Sequence, residues 1–349
     1  MDLEEVRKLA KTKLKGYCGV YKECDGDPSR LCQGHSYGGL GIGGVGSGAS
    51  FRNNILALKK LKLKMQIVRE NFTPDTKYDF FGYQTSMPIF GAPATGVNSF
   101  GGEKVISEHD FCMATVKGCK DAGTIGWRGD TYTYDYNIPE TCPCMPSISS
   151  VEGEAVKIIK PRSQEVILSV IRHYEEKIKP LAIGVDVDGC GSVAMNKANK
   201  PVFNKSYEDL KELIKSTHLP FIVKGIMTVE DTKTAVDAGA NAVVISNHGG
   251  RVLDHTPGTA DVLPTIVEEF TGKTKIFVDG GIRNGYDVLK MLALGADAVL
   301  VGRDLIRASV GAGPEGVRVQ MDFYQKTLAK AMKMTNISDL SEINKEILI

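Results

Sequence analysis

The chain has 349 residues and a mass of 37.8 kDa, enough for two average domains or for one α/β barrel, so length leaves the domain count open. Its 43 Lys+Arg against 42 Asp+Glu give a formal charge of +1, which offers no global electrostatic reason to expect nucleic acid or an anionic membrane and favours a small-molecule site. The N-terminus, Met1-Asp2-Leu3-Glu4-Glu5-Val6-Arg7, is charged, and no later run reaches the ~18 apolar residues that span a bilayer, which predicts a soluble cytoplasmic protein.

Residues 3–15 carry Leu3, Val6, Leu9 and Leu14 at helical spacing among lysines, so an amphipathic helix opens the chain, and a lid is the role expected of it. Cys18, Cys24 and Cys32 follow, while Cys142 and Cys144 form a Cys-Pro-Cys and Cys112, Cys119 and Cys190 are scattered. No CxxC pair occurs, the spacing is irregular and a fourth ligand is not evident; the early cluster is a partial metal or iron–sulfur site or a set of reduced thiols, and plain thiols with no metal are the better reading. Residues 38–48 hold seven glycines. A dinucleotide fingerprint needs a strand before it and a helix after it, and a Cys- and charge-rich stretch precedes this one, so it reads instead as backbone packing closely on something.

From Met87 onward, apolar runs of strand length alternate with helical patterns. The strand candidates are Met87–Ala92, Gly123–Gly126, Ala155–Ile159, Ala182–Asp186, Pro220–Lys224, Ala242–Ser246, Lys275–Val278 and Ala298–Val301. Between them, 165–176, 207–216, 229–238, 260–270 and 285–295 read as helices. The expected fold is a TIM (β/α)8 barrel over 81–349, carrying an N-terminal helical, Cys/Gly-rich extension over 1–80 in one structural domain. Barrel sites lie where the strands run out, and polar residues gather there: Asp186, Lys224, His248 with Arg251, Asp279-Gly280-Gly281-Ile282-Arg283, and Gly302-Arg303. An imidazole and a guanidinium at the two ends of His248-Gly249-Gly250-Arg251 can take a proton and hold an anion. The glycines and helix starts after the last two strands suit a phosphate.

Val223-Lys224-Gly225, Ser246-Asn247-His248-Gly249-Gly250-Arg251 with Leu253-Asp254, Asp279-Gly280-Gly281-Ile282-Arg283 and Val301-Gly302-Arg303 together resemble the FMN-dependent α-hydroxy-acid oxidases and dehydrogenases. The likeness is dense over 219–317 and thinner before, where Met87-Pro88-Ile89 and Ala92-Pro93-Ala94-Thr95 look like the first strand and flavin loop. The resemblance implies FMN as cofactor, oxidation of a small 2-hydroxy acid of lactate or glycolate type, an acceptor that is oxygen or another oxidant, and a homotetramer or a dimer of such units. It implies His248 as base, Arg251 as carboxylate clamp and Asp186 as support for the histidinium. Lys224, Ser246, Asp279, Gly281, Arg283, Gly302, Arg303, Pro93, Ala94, Thr95 and, as a further guess, Gly126 fall to the cofactor.

Three departures from the family stand out. Counting back from Lys160-Pro161-Arg162 puts Lys157 where a tyrosine is usual and Ala155 where a glutamine is. Lys157 then points into the pocket mouth as a second, substrate-binding cation or, with a one-residue slip, is a solvated lysine. A second tyrosine is missing around Gly43 and Gly44, and no arginine follows Asp186, where Lys197 or Lys200 is an available substitute. These gaps keep a redox-neutral flavoenzyme and a non-catalytic, redox-responsive flavin protein beside the oxidation reading.

Overall fold

Short continuous apolar runs such as Ala242-Val243-Val244-Ile245 suit strands buried on both faces, the condition of a parallel sheet covered by helices. The computed structural model describes residues 1–14, 44–97, 102–131 and 142–349 and meets that condition. A hairpin of β1 (Tyr78–Phe80) and β2 (Tyr83–Thr85) precedes eight parallel strands: β3 (Ile89–Gly91), β4 (Gly126–Arg128), β5 (Ala155–Ile159), β6 (Ala182–Asp186), β7 (Phe221–Ile226), β8 (Ala242–Ile245), β9 (Lys275–Val278) and β10 (Ala298–Val301). They close in sequence order, β10 pairing with both β9 and β3. The TIM barrel expected from the alternation is the observed fold.

Alternation along each strand divides the core in two. Phe90, Trp127, Val156, Ile158, Ile222, Val244, Phe277 and Leu300 fill the barrel interior. Their neighbours, among them Ile89, Ala155, Ile159, Ile183 and Val243, face the helical layer. Phe80 of the hairpin joins the interior cluster, 5.1 Å from the Phe90 ring and 5.9 Å from Phe277, and seals the end of the barrel away from the polar strand ends.

Most helices fall where the spacing predicts, with Val229–Ala238 matching at both ends. The second strand does not. Gly123 adopts φ +73, a left-handed turn that closes the helix Glu108–Asp121, so β4 begins only at Gly126 and includes Trp127 and Arg128. The opening helix, Leu3–Lys13, is held at its start by an Asp2/Glu5 capping box. It is a strut on the flank and not a lid: Val6 and Ala10 are buried against the long helix Arg303–Met334, Lys13 Nζ donates to Val310 O at 2.9 Å, and Leu9 stays exposed. Gly311 permits the contact, since a Cβ there would stand 2.4 Å from Val6 O. Among the described residues no helix is long and apolar enough to cross a membrane. Cys18, Cys24 and Cys32 and the glycines up to Gly43 lie outside the described residues; Cys112, Cys119, Cys142, Cys144 and Cys190 are free thiols.

Candidate active site

The turn after β8 sets the geometry. His248, Gly249 and Gly250 follow one another at φ +55, +63 and +79, a left-handed run that glycine tolerates and that costs a histidine of order 1–3 kcal/mol. Asn247 holds the turn by accepting from the Gly250 N–H at 3.1 Å, and Asn54 on the helix Ala49–Lys60 donates to the same Asn247 oxygen at 2.8 Å. That helix crowds the turn so closely that a Cβ on Gly250 would lie 2.5 Å from Phe51 N. The described end of the glycine-rich segment packs here too: Val45 N donates to Gly250 O at 2.8 Å. Close packing is expected of that stretch, and residues 44–48, its described part, pack on the His248 turn.

Two adjoining pockets meet at Pro93, Ala94, His248 and Arg251. One is rich in charge and is lined by the ends of β6 to β10: Asp186, Lys224, Asp279, Gly281, Arg283, Gly302 and Arg303. The other is polar, with Thr95, Asp130, Thr131, Lys160 and Ser192. Lys224 Nζ donates to Ser246 Oγ at 2.9 Å and sits 3.4 Å from Asp279 Oδ2. Burial would lower the Lys224 pKa, but Asp279, Asp188 and Asp186 together raise it, so the ammonium stays charged. Arg303 Nη2 donates to Gly249 O at 2.6 Å and its guanidinium lies 4.6 Å from the Phe51 ring centre, which ties the start of the long helix to the histidine turn. No side chain caps that helix start at Gly302.

His248 Nδ1 lies 3.0 Å from Asp188 Oδ1 and 3.8 Å from Asp186 Oδ2. Asp186 Oδ2 takes its hydrogen bond from Lys160 Nζ at 2.6 Å. Burial pushes the Asp188 carboxyl up, and the charges of His248, Lys224 and Lys160 outweigh it, holding the group down at about 2. Asp186, Asp188 and His248 offer atoms within 4.8 Å of one another, a spacing that would admit a metal, yet Lys160 and Lys224 already bring positive charge to the same carboxylates. Asp188 and Lys160 were not singled out from sequence. The signal for Asp188 was its place two residues after Asp186, because the 3-10 turn Val187–Gly191 brings both carboxylates to the imidazole. Gly225 makes the room, at φ +97 with its absent Cβ only 2.3 Å from Asp188 Cγ.

Two predicted site residues are misplaced. Lys157 faces outward from β5 into the helical layer, fully buried, donating to Gly129 O at 3.0 Å and paired with Asp130 at 3.3 Å, with Tyr174 beside it. It is neither a pocket cation nor a solvated lysine. Gly126 also faces outward, where a Cβ would stand 2.9 Å from Val116 Cα, so it supports helix packing and lines neither pocket. Ser246 is wholly buried behind Lys224 and acts on the pocket through it. Lys197 and Lys200 line neither pocket; Lys160 lines the polar one.

The sequence pattern of a family described as FMN-dependent dehydrogenase matches residues 41–200 and 188–349. The chain belongs to this family. Human 2-hydroxyacid oxidase 1 is 43% identical over 346 residues, covering 87% of this chain and 89% of the relative. Glycolate oxidase 3 of Oryza sativa subsp. indica is 41% identical over 329 residues, 86% and 88% of the two chains. A crystal structure of mandelate oxidase superposes with a TM-score of 0.80 at 27% identity, covering 100% of this chain and 97% of that one.

The charged pocket fits FMN on its own geometry. Arg283, Arg303 and the uncapped helix start at Gly302 present cationic and N–H groups suited to a phosphate. Lys224 stands as a buried cation suited to an electron-rich ring, and Asp279 Oδ1 is buried with no protein partner.

Proposed function

We propose that this protein oxidises a small 2-hydroxy acid to the 2-oxo acid, with His248 as the base and Arg251 as the carboxylate clamp. The observation that carries the reading is the meeting of His248 and Arg251 at the junction of a cofactor-shaped pocket and a polar one. The names of the relatives, oxidases of 2-hydroxy acids, glycolate and mandelate, support the substrate class. Bound FMN supplies the two-electron acceptor that the conversion requires.

The chain's own residues do the rest. Arg251 pairs with the substrate carboxylate, a planar fork on a planar anion, and so turns the carbinol toward the charged pocket. His248 takes the hydroxyl or α-proton on the ring nitrogen opposite Nδ1, while the carboxylate at Nδ1 stabilises the imidazolium that results. Lys224 offsets negative charge that develops on the cofactor side, and Asp279 and Ser246 hold its ammonium in place. Arg283, Gly302 and Arg303 would hold the phosphate, with Pro93 and Ala94 in the same lining, whereas Thr95, expected at the cofactor, lines only the polar pocket.

The test is anaerobic mixing of the flavin-loaded protein with a panel of 2-hydroxy acids. Bleaching of the flavin with stoichiometric 2-oxo acid is expected; if every acid leaves the flavin oxidised, the reading falls, and a product of unchanged oxidation state would put a redox-neutral reaction in its place. Admitting oxygen or an artificial acceptor to the reduced protein distinguishes oxidase from dehydrogenase. The same resemblance suggests self-association as a tetramer, which light scattering checks directly.

A further inference from the structure

Two carboxylates, Asp186 and Asp188, approach one imidazole, and they are not equivalent. Asp188 is within hydrogen-bond reach of Nδ1 at 3.0 Å, whereas Asp186 stands off at 3.8 Å and gives its near oxygen to Lys160 at 2.6 Å. Both retain a buried oxygen without a protein partner. Lys160 is nine-tenths buried, and what remains of it faces the polar pocket that Arg251 also lines. Gly225 has the one side chain that leaves Asp188 its place, since a Cβ there would overlap the carboxyl carbon. We propose that Asp188 is the positioning partner of His248, and that Asp186 is thereby released to hold Lys160 as a second anion ligand, opposite Arg251, for the substrate carboxylate.

The division explains how this pocket works without an arginine after β6. That loop is the short run Asp188-Gly189-Cys190-Gly191-Ser192, and a cation reaching in from the end of β5 replaces what the loop lacks. An ammonium is a point charge on a flexible stem, so it completes the anion site without imposing the fork geometry that Arg251 already supplies. The imidazole keeps a full negative neighbour in Asp188, because the Asp186 charge is matched by Lys160. The groups facing the imidazole are Asp186 and Asp188 from the β6 end, Lys160 from β5, Lys224 from β7, Asp279 from β9, and Arg251 and Arg303 around its own turn.

The inference rests on the hydroxy-acid reading for the identity of the anion, and its test is independent of turnover. In the oxidised, FMN-loaded protein, nitrogen-15 shifts of the His248 ring give its titration midpoint. Asp188→Asn, which removes the carboxylate at contact distance, is expected to move the midpoint down further than Asp186→Asn does. An equal or larger shift in Asp186→Asn overturns the pairing. Should Asp188→Asn not fold, the carbon-13 shift of the Asp188 carboxylate in the unaltered protein serves instead: it follows the His248 titration more strongly than that of Asp186 if the pairing is right, and less strongly if it is wrong.

The anion role of Lys160 is read with pyruvate, titrated through its perturbation of the flavin spectrum. The double variant Lys160→Met/Asp186→Asn leaves net charge unchanged, so electrostatic imbalance cannot account for a loss; pyruvate is expected to bind about tenfold more weakly or worse, the size of a lost charge-assisted hydrogen bond. Affinity within twofold of the unaltered protein overturns the ligand role. If the midpoints and pyruvate affinities behave as expected while no 2-hydroxy acid reduces the flavin, the proposed reaction fails and the division of labour between the two carboxylates stands.

Discussion

The two sides of the barrel use strand residues differently. Along β6 to β10, the groups with chemistry sit near or past the strand ends, Lys224 two residues inside β7, and Asp186, Lys224, His248, Arg251, Asp279 and Arg303 all line the cleft. Along β4 and β5, Arg128 and Lys157 lie inside the strands and turn away from the interior, while Asp130, two residues past β4, pairs with Lys157 and also lines the polar pocket. Arg128 Nη2 donates to Cys112 Sγ at 3.0 Å, and Cys144 packs 3.7 Å from that sulfur. The hydrogen bond shared with Cys144 lowers the Cys112 thiol pKa against the pull of burial, with Arg128 assisting. One side thus builds a site at the barrel mouth, and the other builds a buried polar seam that braces β4 and β5 against the helices.

His248→Ala tests the first side with the largest effect: flavin stays bound while its reduction by substrate slows about 10²–10⁴-fold, as expected for loss of a general base, and undiminished rapid-mixing rates would remove His248 from that role. Lys157→Met tests the second. Breaking a fully buried ion pair leaves Asp130 without its ammonium, so unfolding stability should drop by about 3–5 kcal/mol in urea titration while flavin content in the folded fraction is unchanged. A raised KM at unchanged stability would return Lys157 to the pocket and erase the contrast. Gly126→Ala, whose methyl would meet Val116 and Thr115, should cost about 1–3 kcal/mol through overpacking and leave flavin content intact.

The contrast also accounts for what could be read from the chain. A residue after a strand end leaves the sheet wherever the strand stops, so an error of one residue in the boundary of β8 does not move His248 out of the cleft; Lys224, expected to end its strand, lies two residues inside β7 and still lines the cleft. Within a strand the period is two, and one residue of register reverses the face. All five residues of β5 are buried, so no alternation of polar and apolar residues fixes which way Lys157 points. The count back from Lys160 points it at the pocket, and the strand turns it to the other face. Lys160 itself was passed over because its value comes from a partner 26 residues away, Asp186, and from a neighbouring strand end that only the closed barrel brings alongside.

The smallest predicted effect lies where the legible side grips the N-terminal segment. Asp254, three residues beyond Arg251, accepts from the N–H groups of Ser47, Ala49 and His255, and so anchors the start of the helix that clamps the His248 turn. Burial pushes its carboxyl up, but the bonds from Ser47 and His255 outweigh this and bring it down to about 2. A folded-state value below the unfolded one, about 3.9, means that the stabilisation is complete above roughly pH 4 and is lost as pH falls through about 2. Asp254→Asn keeps an acceptor oxygen and loses the charge, so near neutral pH it should cost about 0.5–2 kcal/mol, the range for a weakened helix cap. Urea midpoints measured from pH 7 downward should show the two proteins converging as pH approaches 2. A gap that stays constant with pH would mean that Asp254 acts through shape alone, and the helix Ala49–Lys60 would then be held on the active-site turn by Asn54, Asn247 and the Phe51–Arg303 contact.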